Sequence, residues 1–427
     1  MGATAVIGAQ WGDEGKGKVI DLLAERADLV VRYSGGNNAG HTVINHLGEF
    51  RLHLVPAGIF NEQTTCVIGN GVAVDPEVLI GEMDQLEASG IDTTRLMVSD
   101  RAHLVLPFHR LLDRLEEERL AEHAIGTTLR GIGPAFSEKT ARRGIRAGDL
   151  ADREALLKKL EAALTYANLL ITRVYGHDPL QLDEIFAKCM TWGDRLSGRI
   201  QQTELMINEA LHEGREVLLE GAQGTLLDLD FGTYPFVTSS HPGASGAYQG
   251  AGIGPVRIER IVGIFKAYCT RVGEGPFPTE LHTSEGDHIR EFGHEYGVTT
   301  GRPRRIGWFD APMARLSNLV NGYTSVILTR LDVLDQMETI SVCTGYRLDG
   351  EVVEYPPSGM TVLLRCEPIL EQLEGWQQST NDFRHFQDLP DNARTYVHRL
   401  EELIGAPVSM LSVGPRRDEN IIVRAAL

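Results

Sequence analysis

The first two dozen residues constrain this chain most. Thr4 to Ile7 is a short apolar run that reads as a buried strand, and Val19 to Ala24 has helical spacing. Between them lies Gly8-Ala9-Gln10-Trp11-Gly12-Asp13-Glu14-Gly15-Lys16-Gly17-Lys18. Strand, glycine loop and helix together make a phosphate cradle, because backbone N–H groups converge where no side chain crowds them and the helix N-terminus adds partial positive charge. Aligned on Gly12 and Gly17-Lys18 the loop fits G-x-x-x-x-G-K, but Val19 stands where a Ser or Thr would hold magnesium. Asp13 is then the candidate metal ligand, and Lys16 and Lys18 are candidate countercharges. A plain strand-to-helix turn would not need four glycines, two lysines and two acids.

A second strand, Asp28 to Tyr33, runs into Ser34-Gly35-Gly36-Asn37-Asn38-Ala39-Gly40-His41-Thr42. A histidine ending such a loop suits proton transfer near neutral pH. Residues 49–57 and 64–74 alternate as strands, and Leu104 to His123 has the spacing of an exposed amphipathic helix. Gly126-Thr127-Thr128-Leu129-Arg130-Gly131 makes a third candidate anion loop. The run 139–146 carries four basic residues; on composition alone it is either a solvated face or a ligand site. Residues 152–175 and 181–213 read as helices, a helical insertion at 152–213. Glu216 to Glu220 returns to strand and meets Gly221-Ala222-Gln223-Gly224, at the kind of strand end where open α/β sheets bind ligands. Val256 to Arg271 is mostly strand. Val298-Thr299-Thr300-Gly301-Arg302-Pro303-Arg304-Arg305 is a second basic cluster, either a charged surface turn or a set of forks for carboxylate or phosphate. Ser325 to Thr329 is a buried strand ending in Arg330-Leu331-Asp332, and a carboxylate there can accept two N–H bonds from guanine. Met410 to Pro415 is a strand running into a turn, and Asn420 to Arg424 makes a last strand.

At 427 residues without repeats or linkers, the chain reads as one α/β domain over 1–427, with a large, mostly parallel central sheet flanked by helices. The net charge of −18 opposes nonspecific binding to nucleic acid or anionic membrane. No stretch approaches the length of a membrane-spanning helix. Five cysteines with no CxxC pair point to reduced thiols, no zinc site and a cytoplasmic location.

In their order, these loops resemble the adenylosuccinate synthetase family. The motifs that carry the resemblance are Gln10 to Lys18, Gly35 to Thr42, Gly126-Thr127-Thr128 with Arg130 to Pro134, Gly221 to Gly224, Thr299 to Arg302 and Ser412 to Pro415. The resemblance spans the chain. It implies a GTP-dependent ligase that joins IMP and L-aspartate into adenylosuccinate through a 6-phosphoryl-IMP intermediate, releasing GDP and phosphate. It implies Asp13 as base and, with the backbone of Gly40, as Mg2+ ligand, and His41, Lys16 and Gln223 as further catalytic groups. For GTP it implies Gly12 to Lys18, Gly40, His41, Thr42, Arg304, Arg330, Leu331, Asp332, Ser412, Val413 and Gly414. For IMP it implies Asp13 to Lys16, Asn38, Ala39, Gly40, His41, Thr128, Gln223, Thr238 and Arg302. Arg142 would come from the other subunit of a homodimer, and Val298 to Arg304 would bind aspartate. The family usually has lysine where this chain has Arg330, whose planar head packs differently.

Two other classes fit parts of the sequence. A GTPase switch uses the first loop and Arg330-Leu331-Asp332 but leaves Gln223, the second loop and the arginine turn idle. A non-catalytic nucleotide- or nucleic-acid-binding protein uses the basic runs, against the net charge.

Overall fold

The computed structural model describes residues 2–45, 47–297 and 301–424. Ten strands form the main sheet. In chain order they are β1 (Ala3–Gly8), β2 (Leu29–Arg32), β3 (Thr65–Ile68), β4 (Leu96–Ser99), β5 (Ile200–Gln201), β6 (Val217–Glu220), β7 (Ile258–Lys266), β8 (Ser325–Thr329), β9 (Val408–Ser412) and β10 (Asn420–Ile422). Their spatial order is β5-β4-β3-β2-β6-β1-β7-β8-β9-β10. Every pairing is parallel except the last, β9 with β10. The expected fold class holds.

All six residues of β1 are buried, and its alternate residues feed two cores. Ala3, Ala5 and Ile7 belong to one; Val6 joins Val19 and Ile20 of the first helix in the other. A strand buried on both faces is the mark of a parallel sheet covered by helices. The chain moves outward from β2 to β5 and returns through β6, which inserts between β2 and β1. It then continues through β7 on the far side of β1. Loops leaving the carboxyl ends of β2, β6, β1, β7, β8 and β9 therefore meet over one crevice.

Several expected boundaries shift. Within 49–57 only Gly48–Leu52 is a strand, paired with His41–Asn45, and Ala57–Phe60 is a 3-10 turn. Within 64–74, β3 and Val72–Val74 are separate strands. The helix expected over 104–123 begins at Pro107 and runs to Leu120. Pro107 suits a first helical position, and His109 Nδ1 reaches back to accept the Leu106 N–H at 3.0 Å. The helix expected over 181–213 is two, Leu182–Leu196 and Thr203–His212. Gly198, at φ 79°, turns the chain between them so that β5 can pair with β4. The helical excursion thus contributes an edge strand to the sheet. An antiparallel layer of Thr339–Leu348, Glu351–Val353 and Glu367–Glu374 has no counterpart in the sequence reading.

Gly71 and Gly250 close on the backbone of Tyr33, just past β2. A Cβ on Gly250 would lie 2.0 Å from the Tyr33 carbonyl oxygen, and one on Gly71 2.1 Å from it. Gly250→Ala should cost about 1–3 kcal/mol through overpacking, read as a lower urea midpoint. A second test uses pH. Burial lowers the pKa of His109 from its ordinary 6.5 to about 3. Below pH 6.5 the unfolded chain takes up a proton that the folded one refuses, so stability falls as pH falls. His109 should cost about 2 kcal/mol of stability between pH 7 and pH 5. His109→Gln should flatten that part of the stability–pH curve.

Candidate functional site

The loop after β1 is shaped by its own carboxylate. Glu14 is fully buried. Its Oε1 accepts the N–H groups of Gln10 at 3.0 Å and Gly12 at 2.9 Å, and its Oε2 lies 2.6 Å from Lys16 Nζ. Gly12, Asp13 and Gly15 take positive φ, at 87°, 60° and 84°; such a run favours glycine and tolerates Asp. No side chain caps the helix Lys16–Leu23, so its first N–H groups are left for an anion. Lys18 departs from expectation. Its ammonium is bonded to Ser412, Gly414 and Glu419 of the turn after β9.

Asp13 is ion-paired with Arg304, Oδ2 to Nε at 2.9 Å. Arg304 also pairs with Glu295, which lies 2.8 Å from Lys266 Nζ and accepts the Tyr268 hydroxyl. Burial lowers the Lys266 ammonium to about 8 against the pull of Glu295. Burial would raise Glu295, but Lys266, Arg304 and Arg330 hold it at about 2. A chain of alternating charges thus ends on Asp13.

The second loop brings in His41. Its Nδ1 lies 2.8 Å from Glu220 Oε1, which also takes Arg32 Nη1 at 2.9 Å, while Glu220 Oε2 accepts the Ala57 N–H at 2.8 Å. Glu220 is fully buried at the carboxyl end of β6. His41 Nε2 is buried and has no partner among the described residues. Burial, and then the charge of Arg32, lowers the His41 pKa against the pull of Glu220. A neutral ring that donates through Nδ1 leaves Nε2 as the acceptor. Gln223, at φ 54°, donates from Nε2 to Asn38 Oδ1 at 3.0 Å, and its own Oε1 is buried without a partner.

One cavity of about 1780 Å3 joins these groups. That exceeds the roughly 300–1,000 Å3 of a pocket for one drug-sized ligand. Its lining includes Gly12, Asp13, Gly15 to Lys18, Asn38 to Thr42, Thr128, Gln223, Thr238, Gly301, Arg304, Arg330, Asp332, Ser412 and Gly414. Glu14 lies behind the lining. Leu331 and Val413 are core residues, so only their backbone could serve a ligand. Asp332 Oδ1 is buried without a partner. Arg330, at φ 64°, donates from Nη2 to the Gly293 carbonyl, which ties its planar head down.

The third loop departs from expectation. Several of its amides are already taken: Glu117 accepts the N–H groups of Ile125, Gly126 and Thr127, and Asp113 that of Gly131. Arg302 and Pro303 are exposed and lie outside the cavity lining. Arg142, at φ 63°, is exposed and lies outside its own chain's cavity, which Arg143 lines. Val298, Thr299 and Thr300 lie outside the described residues.

A family model described as adenylosuccinate synthetase matches residues 5–421. The chain belongs to the adenylosuccinate synthetase family. It is 52% identical over 421 residues to the adenylosuccinate synthetase of Dehalococcoides mccartyi, covering 99% of this chain and 100% of that one. It is 53% identical over 422 residues to that of Desulfitobacterium hafniense, covering 99% of each. It is also similar to the fully ligated adenylosuccinate synthetase of Plasmodium falciparum, with 36% identity and a TM-score of 0.94 over 99% of this chain and 100% of that one. Adenylosuccinate synthetases are GTP-dependent ligases that condense IMP and aspartate, with Mg2+.

The donor chemistry suits that ion. Asp13, with its partly exposed carboxylate, and Gly40 both border the cavity, and a carboxylate and a backbone carbonyl are hard oxygen donors. Magnesium takes few protein ligands and fills its shell from phosphates and water. The sequence reading missed Glu220, Arg32, Lys266 and Glu295. A signal was present for three of them: Arg32, Glu220 and Lys266 are charged residues that end buried strands next to a glycine loop or turn. Glu220→Gln should lower kcat by about 10–100-fold with KM values nearly unchanged, because it orients a synthetase side chain without touching substrate. Because Glu220 raises the His41 pKa, the limb of the pH–rate profile that reports His41 should move to lower pH.

Proposed function

We infer that the chain carries out its family's reaction in this cavity. It is a GTP-dependent ligase that condenses IMP with L-aspartate in the synthesis of AMP, releasing adenylosuccinate, GDP and phosphate. The oxygen on C6 of IMP leaves poorly. Transfer of the γ-phosphoryl group from GTP to that oxygen makes it a good leaving group, and the aspartate amine then displaces phosphate at C6. The observation that carries the reading is His41 Nε2, unpartnered and buried beside a phosphate loop, with its other nitrogen fixed by Glu220.

Asp13 takes the proton from N1 of IMP, which raises electron density on O6. His41, once its Nε2 carries a proton and Glu220 balances the charge, donates a hydrogen bond to the moving phosphoryl group and stabilises its charge. Lys16 and the first amides of its helix neutralise phosphate, as phosphoryl transfer requires. Bound at Asp13 and Gly40, Mg2+ would draw charge from the phosphate oxygens. Gln223 with Asn38, Thr128 and Thr238 holds IMP. Arg304 and the 298–304 turn take aspartate, whose carboxylates suit arginine forks. Arg330, Asp332 and the 412–414 backbone take guanine, and the unpartnered Asp332 Oδ1 can accept a base N–H.

We also read the protein as a homodimer. Arg142 is exposed and lies outside its own chain's cavity, which suits a group offered to the partner's IMP phosphate. A cytoplasmic location fits five free, buried cysteines and, among the described residues, no helix long and apolar enough to cross a membrane. The single-domain reading of 1–427 rests on the continuous sheet, to which the 152–213 excursion adds an edge strand.

Phosphate release should require IMP, GTP and aspartate together. Brisk GTP hydrolysis without IMP would instead mark a GTPase switch. Asp13→Asn should lower turnover by at least about 100-fold, the scale of a lost general base. Mixing Arg142→Leu with Asp13→Asn subunits should restore up to roughly a quarter of wild-type activity, since each hybrid dimer regains one intact site. No recovery would rule out a shared site.

A further inference from the structure

Lys18 stands where a P-loop would place its phosphate lysine, yet its bonds run elsewhere. Its Nζ donates to Ser412 Oγ at 2.7 Å, to the Gly414 carbonyl at 2.7 Å and to the Glu419 carbonyl at 3.0 Å. An ammonium has three N–H groups, so none remains for a phosphate oxygen. Burial disfavours the charge and lowers its pKa to about 8, against the pull of Glu419, Asp332 and Asp418 and with the push of Arg330. A desolvated charge of this kind is kept only where its hydrogen bonds are complete.

The three acceptors belong to one turn that closes around the ammonium. Glu419 O takes the Val413 N–H at 3.1 Å as well as Lys18, and the Ser412 hydroxyl donates to the Gly414 carbonyl at 3.1 Å. A Cβ on Gly414 would lie 2.4 Å from Glu419 Oε2, and that carboxylate, which accepts the Arg416 N–H, would have to move. A second tie runs between the same two elements. Arg417 Nη2 donates to the Asp21 carbonyl at 3.0 Å and pairs with Glu25 at 2.8 Å. The first helix therefore grips the 412–419 turn at two points, while Ser412 and Gly414 face the cavity beside Asp332.

We propose that Lys18 is a positioning residue for base selection: it fixes the 412–414 wall opposite Asp332, so that the helix under the phosphates also sets the shape of the purine subsite. This rests on the reading of that end of the cavity as the guanine site. Lys18 acts through the wall and touches neither phosphate nor base.

The test compares GDP and ADP, which share a diphosphate and differ only in the base, by isothermal titration with the full-length protein and Mg2+. In the wild type GDP should bind more tightly than ADP; equal affinities would defeat the guanine reading itself. Lys18→Met should weaken GDP by about 10–100-fold, the scale of a lost charged hydrogen bond, while ADP changes by less than about threefold. An equal loss for both nucleotides would show Lys18 to be a phosphate contact and overturn the proposal. Unchanged affinity for both would overturn it too. If Lys18→Met does not fold, Ser412→Ala removes one acceptor and should narrow the GDP preference in the same direction. A preserved preference there would count as refutation.

Discussion

Glu14 is a carboxylate with no solvent exposure in a loop built to receive phosphate, and the rest of the site depends on how its charge is met. Burying a carboxylate costs several kcal/mol unless it is fully hydrogen-bonded. Glu14 meets that condition with two loop amides and the Lys16 ammonium. The loop is therefore held in its cradle shape by an internal anion before any ligand arrives. The arrangement dictates its neighbours. A Cβ on Gly8 would lie 2.7 Å from both Glu14 Oε2 and Lys16 Nζ, and one on Gly224 2.6 Å from Glu14 Oε1. The 221–224 loop can lie over the cradle only because both positions are bare, and it carries Gln223 to Asn38.

Two carboxylates then divide the chemistry by environment. Glu220 is sealed between Arg32, His41 and the Ala57 amide. Burial would raise its pKa, but His41, Arg32 and that amide hold it below the usual range, so it stays ionised and orients. Asp13 is partly exposed and pairs with Arg304, which Glu295 holds in turn. Asp13 lines the cavity, whereas Glu220 is fully buried behind His41, which lines it. The proposed base and the orienting group are told apart by access as much as by charge.

What the sequence made legible was local. Gly12, Gly15 and Gly35 announce loops because positive φ is a property of single residues, and apolar strands such as β1 announce a covered sheet. What it hid was long-range. Glu220 reaches Arg32 and His41 across well over a hundred residues, and Lys266 and Glu295 meet only after the chain turns back from β7. The third loop looked like an anion site because its glycines are local, while its occupant, Glu117, lies on the preceding helix. Lys18 shows the same limit: its motif position is local, but its three acceptors are about four hundred residues away. The helix predicted over 181–213 failed for a local reason that was overlooked, the turn at Gly198.

Strand order turns these contacts into a reaction path. Reading across the sheet, β9 and β8 end in the groups assigned to the base, β1 in the phosphate loop, and β6 and β2 in Gln223, Asn38 and His41. Neighbouring strands lie about 4.8 Å apart, so β9 to β1 spans three steps, ~14 Å, and β1 to β2 two steps, ~10 Å. The longer span suits an extended nucleoside triphosphate whose terminal phosphate arrives over β1. The shorter one suits a purine ring delivered from the other side. The two nucleotides can then meet only where Asp13, Lys16 and His41 converge, and the parallel order of the strands places that meeting point at the centre of the sheet, where the backbone is best buried on both faces.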